Sequence, residues 1–213
     1  VVCRGYSLPN WVNEHTLVVC SSYSGNTEET LSALDDALNK KAQVCGITTG
    51  GELGKRLKKS GEDLVIIPSG LQPRAALAFS FVPMVKLLEN VGVLEPGMER
   101  WIKHTIDALK EARELYCRES DENPVYELTQ QVYNKIPIVY ADNSTLGVAA
   151  VRLKGQFCEN AKMLAYYNEL PEFNHNEIVG WENNSNLFEH VFVFWLMDAH
   201  DNPRVKHRQE ITQ

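Results

Sequence analysis

The sequence contains no CxxC pair, no excess of positive charge and no apolar run approaching the roughly 20 residues that span a bilayer. Each absence removes a class of protein. Without paired-cysteine spacing, Cys3, Cys20, Cys45, Cys117 and Cys158 read as free, mostly buried thiols in a reducing compartment. Lys and Arg number 21 against 28 Asp and Glu, a formal charge of −7, so nothing electrostatic favours nucleic acid or an anionic membrane. No signal-peptide pattern opens the sequence. Asn143-Ser-Thr and Asn183-Asn-Ser match glycosylation sequons, but such triplets arise readily by chance. The expectation is a soluble cytoplasmic protein. A true P-loop is lacking as well: TGGELGKR at 49–56 places Thr49 where the motif needs glycine and Arg56 where it needs Ser or Thr. Asp198, His200, Asp201 and His207 match no familiar ligand spacing and read as a loop entering a capped helix. No metal or cofactor is expected.

What is present is alternation. The 213 residues are 44% apolar, enough for two small cores. Strands are expected at 16–22, 42–48 and 63–68, with helices at 26–40, 52–59 and 75–90. The first helix shows Leu31, Leu34 and Leu38 at helical spacing, with Glu28 and Glu29 suited to its first turn. The helix at 75–90 is apolar nearly all round, which predicts burial. Strand-helix alternation of this length implies parallel strands joined by right-handed crossovers. A charged helix at 98–118 and the acidic ESDEN at 119–123 mark a boundary, giving domains 1–120 and 121–213. Alternation then resumes with helix 124–134, strand 136–141, helix 145–164, a loop carrying NELPEFNHNEIVGW at 168–181, and strand 190–197. Asp201-Asn-Pro opens a last helix. Both sheets read as cut short, with chain missing at each end.

Two segments carry chemistry. SSYSGNTEET at 21–30 joins strand to helix, with hydroxyls on Ser22, Ser24 and Thr27 and a tight turn permitted by Gly25. Unpaired amides at a helix start suit a phosphate or another small oxyanion. The plainer reading is a capped helix without ligand. The helix at 145–164 places Glu159 near Phe157 and Met163. A carboxylate in partly apolar surroundings can serve as a base near neutral pH, though an ordinary exposed glutamate is the simpler alternative. His175 lies close in sequence to Glu169, Glu172 and Glu177, which makes each of them a candidate partner by proximity. Arg74, after Gln72-Pro73, is either a surface arginine or a fixed positive charge at a site.

SSYSGNTEET resembles the sugar-phosphate loop of a SIS (sugar isomerase) domain. Together with Pro73-Arg74-Ala75-Ala76, Cys158-Glu159-Asn160-Ala161-Lys162 and ELPEFNHNEIVGW, the whole chain resembles the bifunctional phosphoglucose/phosphomannose isomerase family. The resemblance implies an α/β protein of two SIS-type α-β-α sandwich domains with parallel sheets. It implies interconversion of glucose 6-phosphate, with mannose 6-phosphate as a further substrate, and fructose 6-phosphate through a cis-enediol. Glu159 would be the base, and His175 would assist ring opening from the partner subunit of a homodimer. Ser22, Ser24, Thr27 and Arg74 would bind substrate, while Glu169, Glu172 and Glu177 would hold the loop. The family's earlier glycine-rich loop and its late lysine would lie outside this sequence. A SIS sugar-phosphate sensor without chemistry is the alternative; amino-sugar synthesis would ordinarily bring a glutamine-hydrolysing domain.

Overall fold

The computed structural model describes every residue except Asp121 and Asn184. The boundary expected at 120–121 and the sequon at Asn183 therefore touch positions outside the described residues. The chain forms two compact units, Val1–Leu109 and Lys110–Gln213.

In the first unit, β1 (Leu17–Ser21), β2 (Gln43–Thr48) and β3 (Asp63–Ile66) form a parallel sheet in the order β1-β2-β3. Helix α1 (Glu28–Asn39) connects β1 to β2, and α2 (Gly51–Ser60) connects β2 to β3. Central β2 buries every residue after Gln43, as expected of a parallel strand covered on both faces. Leu34 and Ala37 of α1 join Val44, Leu53 and Leu57 in the core. Full burial of a leucine contributes about 1.5–3 kcal/mol. At Gly46 an added Cβ would lie 2.1 Å from Leu57 Cδ1, so the missing side chain is what lets α2 settle on the sheet.

A 3-10 turn at Pro73–Ala75 leads into α3 (Leu77–Asn90). Burial of this all-round apolar helix is not observed: none of its residues is buried, and Leu77 and Phe81 are exposed. Its contacts lie toward β2, and a sheet of three strands covers only part of its circumference. Helix α4 (Met98–Tyr116) follows, and the division between units falls inside it.

In the second unit, α5 (Pro124–Val132) starts on Asn123, whose side chain accepts a hydrogen bond of 2.9 Å from the Val125 amide. Strands β4 (Ile136–Asp142), β5 (Tyr166–Leu170) and β6 (Val191–Leu196) form a second parallel sheet in the order β5-β4-β6. Two expectations are corrected. The helix foreseen at 145–164 ends early: α6 (Gly147–Gln156) passes into a π-helical turn at Phe157–Ala161, and Lys162 adopts φ 58°, which stops the helix. The segment foreseen as loop at 168–181 begins inside edge strand β5 and contains the short helix α7 (Phe173–Asn176). The last helix, α8 (Pro203–Thr212), begins as foreseen, capped by Asn202 with Pro203 at its first turn.

No helix among the described residues is long and apolar enough to cross a membrane. All five cysteines are free, but only Cys20 and Cys45 are buried; Cys3 and Cys117 are exposed. Burial pushes the Cys20 thiol up to about 11 and also raises that of Cys45. Brief iodoacetamide treatment of the folded chain at pH 8 is therefore expected to alkylate Cys3 and Cys117 at least tenfold faster than Cys20 and Cys45. Peptide mass mapping reads this directly. Equal rates would show that the first unit opens readily.

Candidate functional site

The loop after β1 is held from inside. The hydroxyls of Ser22 and Thr27 share a hydrogen bond of 2.8 Å, and the Gly25 amide donates to Ser22 Oγ at 3.1 Å. The Asn26 amide donates to Ser24 Oγ at 3.2 Å. Ser22 is buried, whereas Ser24 and Thr27 are exposed. Thr27 occupies the N-cap position of α1, yet its side chain makes no capping bond. Of the capped-helix reading of this segment, the side-chain capping bond does not form at Thr27. The structure brings the Ser22 and Thr27 hydroxyls together at the start of a 12-residue helix and leaves Ser24 exposed in the same loop; a helix start of this kind suits a phosphate oxygen.

The segment set aside as a false P-loop supplies the loop's support. Gly25 has φ 71°, and a Cβ there would lie 2.0 Å from the Gly50 carbonyl oxygen. Gly51 has φ 61°, and a Cβ there would lie 2.3 Å from the Ser24 carbonyl oxygen. The two turns touch backbone to backbone. The Leu53 amide donates to Gly25 O at 2.8 Å, and the Glu52 amide donates to Asn26 Oδ1 at 3.0 Å. Amides from the first turn of α2 are therefore committed to the loop, and the α1 end remains the better anion seat. Sequence reading missed Gly50 and Gly51; their signal was the position of TGG directly after the neighbouring strand.

Tyr23, in the same loop, accepts a hydrogen bond of 3.0 Å at its hydroxyl from the Leu71 amide. This ties the loop to the segment that leads into Arg74. Arg74 sits half-buried in the 3-10 turn at Pro73–Ala75.

In the second unit, Glu159 lies in the π-helical turn after α6. The partly apolar setting foreseen for it is not observed: Glu159 and Asn160 are exposed, whereas Phe157, at the start of the same turn, packs on Phe194 at 5.6 Å between ring centroids. Lys162 donates to the Glu159 carbonyl oxygen, closing the turn on itself. π-Helical turns and left-handed non-glycine residues recur at functional sites.

His175 is exposed on α7, its amide donating to the Glu172 carbonyl oxygen at 2.8 Å, and the carboxylates of Glu172 and Glu177 bond elsewhere. Glu177 accepts from the Tyr140 hydroxyl, from Asn168 Nδ2 at 2.7 Å and from Trp181 Nε1 at 3.4 Å. Glu172 accepts from Asn176 Nδ2 at 3.3 Å. Glu169 lies over the start of α6, its Oε1 3.1 Å from where a Cβ on Gly147 would be. Burial, and then the Glu177 carboxylate, push the Tyr140 phenol well above its ordinary value, so it remains a donor throughout the neutral range.

The cluster at the end of β6 is a loop. Asp198 accepts from the His200 amide at 2.7 Å and shares a bond of 2.8 Å with the His200 ring, which hold its carboxyl below the usual range. Buried Asp201 accepts from Thr145 Oγ1 and from the Asp198 amide at 2.9 Å. Burial pushes the Asp142 carboxyl up, but the Ser144 amide and hydroxyl and the Asn202 amide outweigh it and hold the carboxyl low. No group of three or more His, Cys, Asp or Glu among the described residues could hold a metal ion.

Residues 121–213 match the family model described as bacterial phospho-glucose isomerase C-terminal SIS domain. A protein of Caldicellulosiruptor bescii named bifunctional phosphoglucose/phosphomannose isomerase is 46% identical over 100% of this chain and 63% of its own length. One of the same name from Aquifex aeolicus is 38% identical over 100% of this chain and 62% of its own. The chain thus spans less than two thirds of the length of these relatives. Tagatose-6-phosphate ketose/aldose isomerase from Escherichia coli superposes with a TM-score of 0.61 at 18% identity, covering 95% of this chain and 54% of that one. The fold is of the SIS type.

Proposed function

From a chain homologous over its whole length to the bifunctional phosphoglucose/phosphomannose isomerases, we propose an aldose-ketose isomerase acting on hexose 6-phosphates. Glucose 6-phosphate and fructose 6-phosphate are interconverted, and mannose 6-phosphate enters through the same enediol. Ser22, Ser24 and Thr27 hold the phosphate with amides at the start of α1. Glu159 takes the proton from C2 of the open-chain aldose and returns it to C1. One carboxylate performs both steps, since both protons lie on the same face of a cis-enediol. Arg74 offsets the charge that develops on the enediolate oxygens. His175 passes a proton to the ring oxygen as the cyclic sugar opens, reaching the sugar from a second copy of the chain in a homodimer.

The observation that carries this reading is the pair Glu159 and His175, both solvent-exposed on short, braced turns of the second unit. A sugar-phosphate sensor needs only the loop. The test is exchange of the C2 proton of glucose 6-phosphate in heavy water, followed by NMR. Steady wash-in of deuterium with formation of fructose 6-phosphate is expected; binding without exchange would leave a sensor. In the same preparation Thr27→Ala is expected to weaken sugar-phosphate binding about tenfold by calorimetry, since a hydrogen bond to a charged group is worth roughly 1.5–3 kcal/mol. Unchanged affinity would remove the loop from the phosphate's contacts.

A further inference from the structure

The second sheet presents one rung of three residues in register, Asn168 on β5, Tyr140 on β4 and Trp195 on β6. In-register residues of neighbouring strands project from the same face. Helix α7 rests on that face by two anchors. Ahead of His175, Phe173 is 2% exposed and packs on Tyr140 at 4.5 Å and Trp195 at 6.0 Å between ring centroids. Behind His175, Glu177 gathers the donors of Tyr140, Asn168 and Trp181 on its two carboxylate oxygens. Asn168 Nδ2 also reaches Asn176 Oδ1 at 3.0 Å, so the same side chain holds two successive residues of the turn.

We infer that Glu177 is a positioning residue for His175: its carboxylate clamps the turn to the Asn168–Tyr140 rung and fixes where the imidazole is presented. Three donors converge on one acceptor group whose charge strengthens each bond. An isosteric amide keeps one acceptor oxygen and turns an NH2 toward a donor. Glu177→Gln therefore releases the rear anchor while leaving Phe173 seated. The consequence falls on the step His175 performs, and the phosphate loop of the first unit keeps its own internal bonds. The inference rests on the reading of His175 as the acid of ring opening.

The test is a double-mutant cycle on the full chain, with glucose 6-phosphate as substrate. Glu177→Gln is expected to lower kcat about tenfold with KM changed less than twofold. In a His175→Ala background the same change is expected to cost nothing further, because the residue through which it acts is gone. Losses that multiply in full would assign Glu177 to general stability and overturn the inference. The ring resonances of His175 give a readout independent of activity. In Glu177→Gln they are expected to shift or broaden while those of His200 and His207 stay in place; unmoved His175 resonances overturn the inference. A wild-type chain that neither isomerises nor exchanges the C2 proton defeats the functional reading instead, and the histidine spectra still decide this one. If Glu177→Gln does not fold, Asn168→Ala removes one of the three donors and is read by the same cycle, with about a threefold loss expected.

Discussion

Glu159→Gln is expected to abolish isomerisation and C2 proton exchange while leaving sugar-phosphate affinity within about twofold. Removal of a general base typically costs a factor of 10² to 10⁴, and here one carboxylate is assigned both proton transfers, so a loss of at least about a thousandfold is expected. Glu159 is exposed on a π-helical turn closed by Lys162, and the amide replacement removes no buried contact. Calorimetry separates lost chemistry from lost binding. The proposal that His175 is supplied by a second copy of the chain gives a sharper form of the experiment. Inactive Glu159→Gln subunits mixed with His175→Ala subunits, which keep only the slow turnover that unassisted ring opening allows, form roughly half hybrid dimers. Each hybrid has one site free of both lesions, which restores about a quarter of wild-type activity. No recovery, with hybrids verified by native mass spectrometry, would place both residues in one subunit's site and end the proposal of a histidine supplied by the partner.

Gly25→Ala is expected to be the most damaging single change in the first unit. The φ of 71° disfavours any side chain, and the new methyl would meet the Gly50 carbonyl oxygen at 2.0 Å. Backbone cannot yield as a flexible side-chain tip does, so the loop and the start of α2 must separate. That breaks the Leu53 amide bond to Gly25 O and the Glu52 amide bond to Asn26 together. A loss of at least about 3 kcal/mol is expected, from left-handed strain plus two broken hydrogen bonds. Phosphate binding should fall beyond measurement. Urea unfolding followed by circular dichroism reads the first effect and calorimetry the second. Near-normal values for both would show that the contact between the turns is soft.

Where apolar runs end in small polar residues, strands were legible: residues 16–22, 42–48, 63–68, 136–141 and 190–197 all contain strands. β5 was not, for a physical reason. It is an edge strand of five residues, YYNEL, buried only at Leu170, so no continuous apolar signal marks it. The helix at 145–164 read as one element because its apolar spacing runs past Gln156; local spacing says nothing of a backbone that widens by one residue per turn. The loop at 21–30 was legible as an oxyanion seat, since strand, small residues and helix start are all local. Its brace at Gly50–Gly51 starts 25 residues downstream of Gly25 and is visible only once β1 and β2 pair. Proximity in sequence made Glu177 one of three candidate partners of His175, whereas the resemblance made it a residue that holds the loop; its carboxylate faces Tyr140, Asn168 and Trp181.

The rung of Asn168, Tyr140 and Trp195 also guards the folding of the second sheet against misalignment. If β5 slid along β4 by one residue in one direction, Glu169 would take the place of Asn168. Two carboxylates would then meet where a carboxylate and an amide now bond, and Leu170 would leave the core for the opposite face. Sliding the other way would bring Tyr167, with no amide to give. Leu170 is the one buried apolar residue of this short, polar strand, so its seat in the core and the hydrogen-bond matching at Asn168 set the alignment together. Asn168→Asp should therefore cost the folded chain some of its uniqueness as well as its stability.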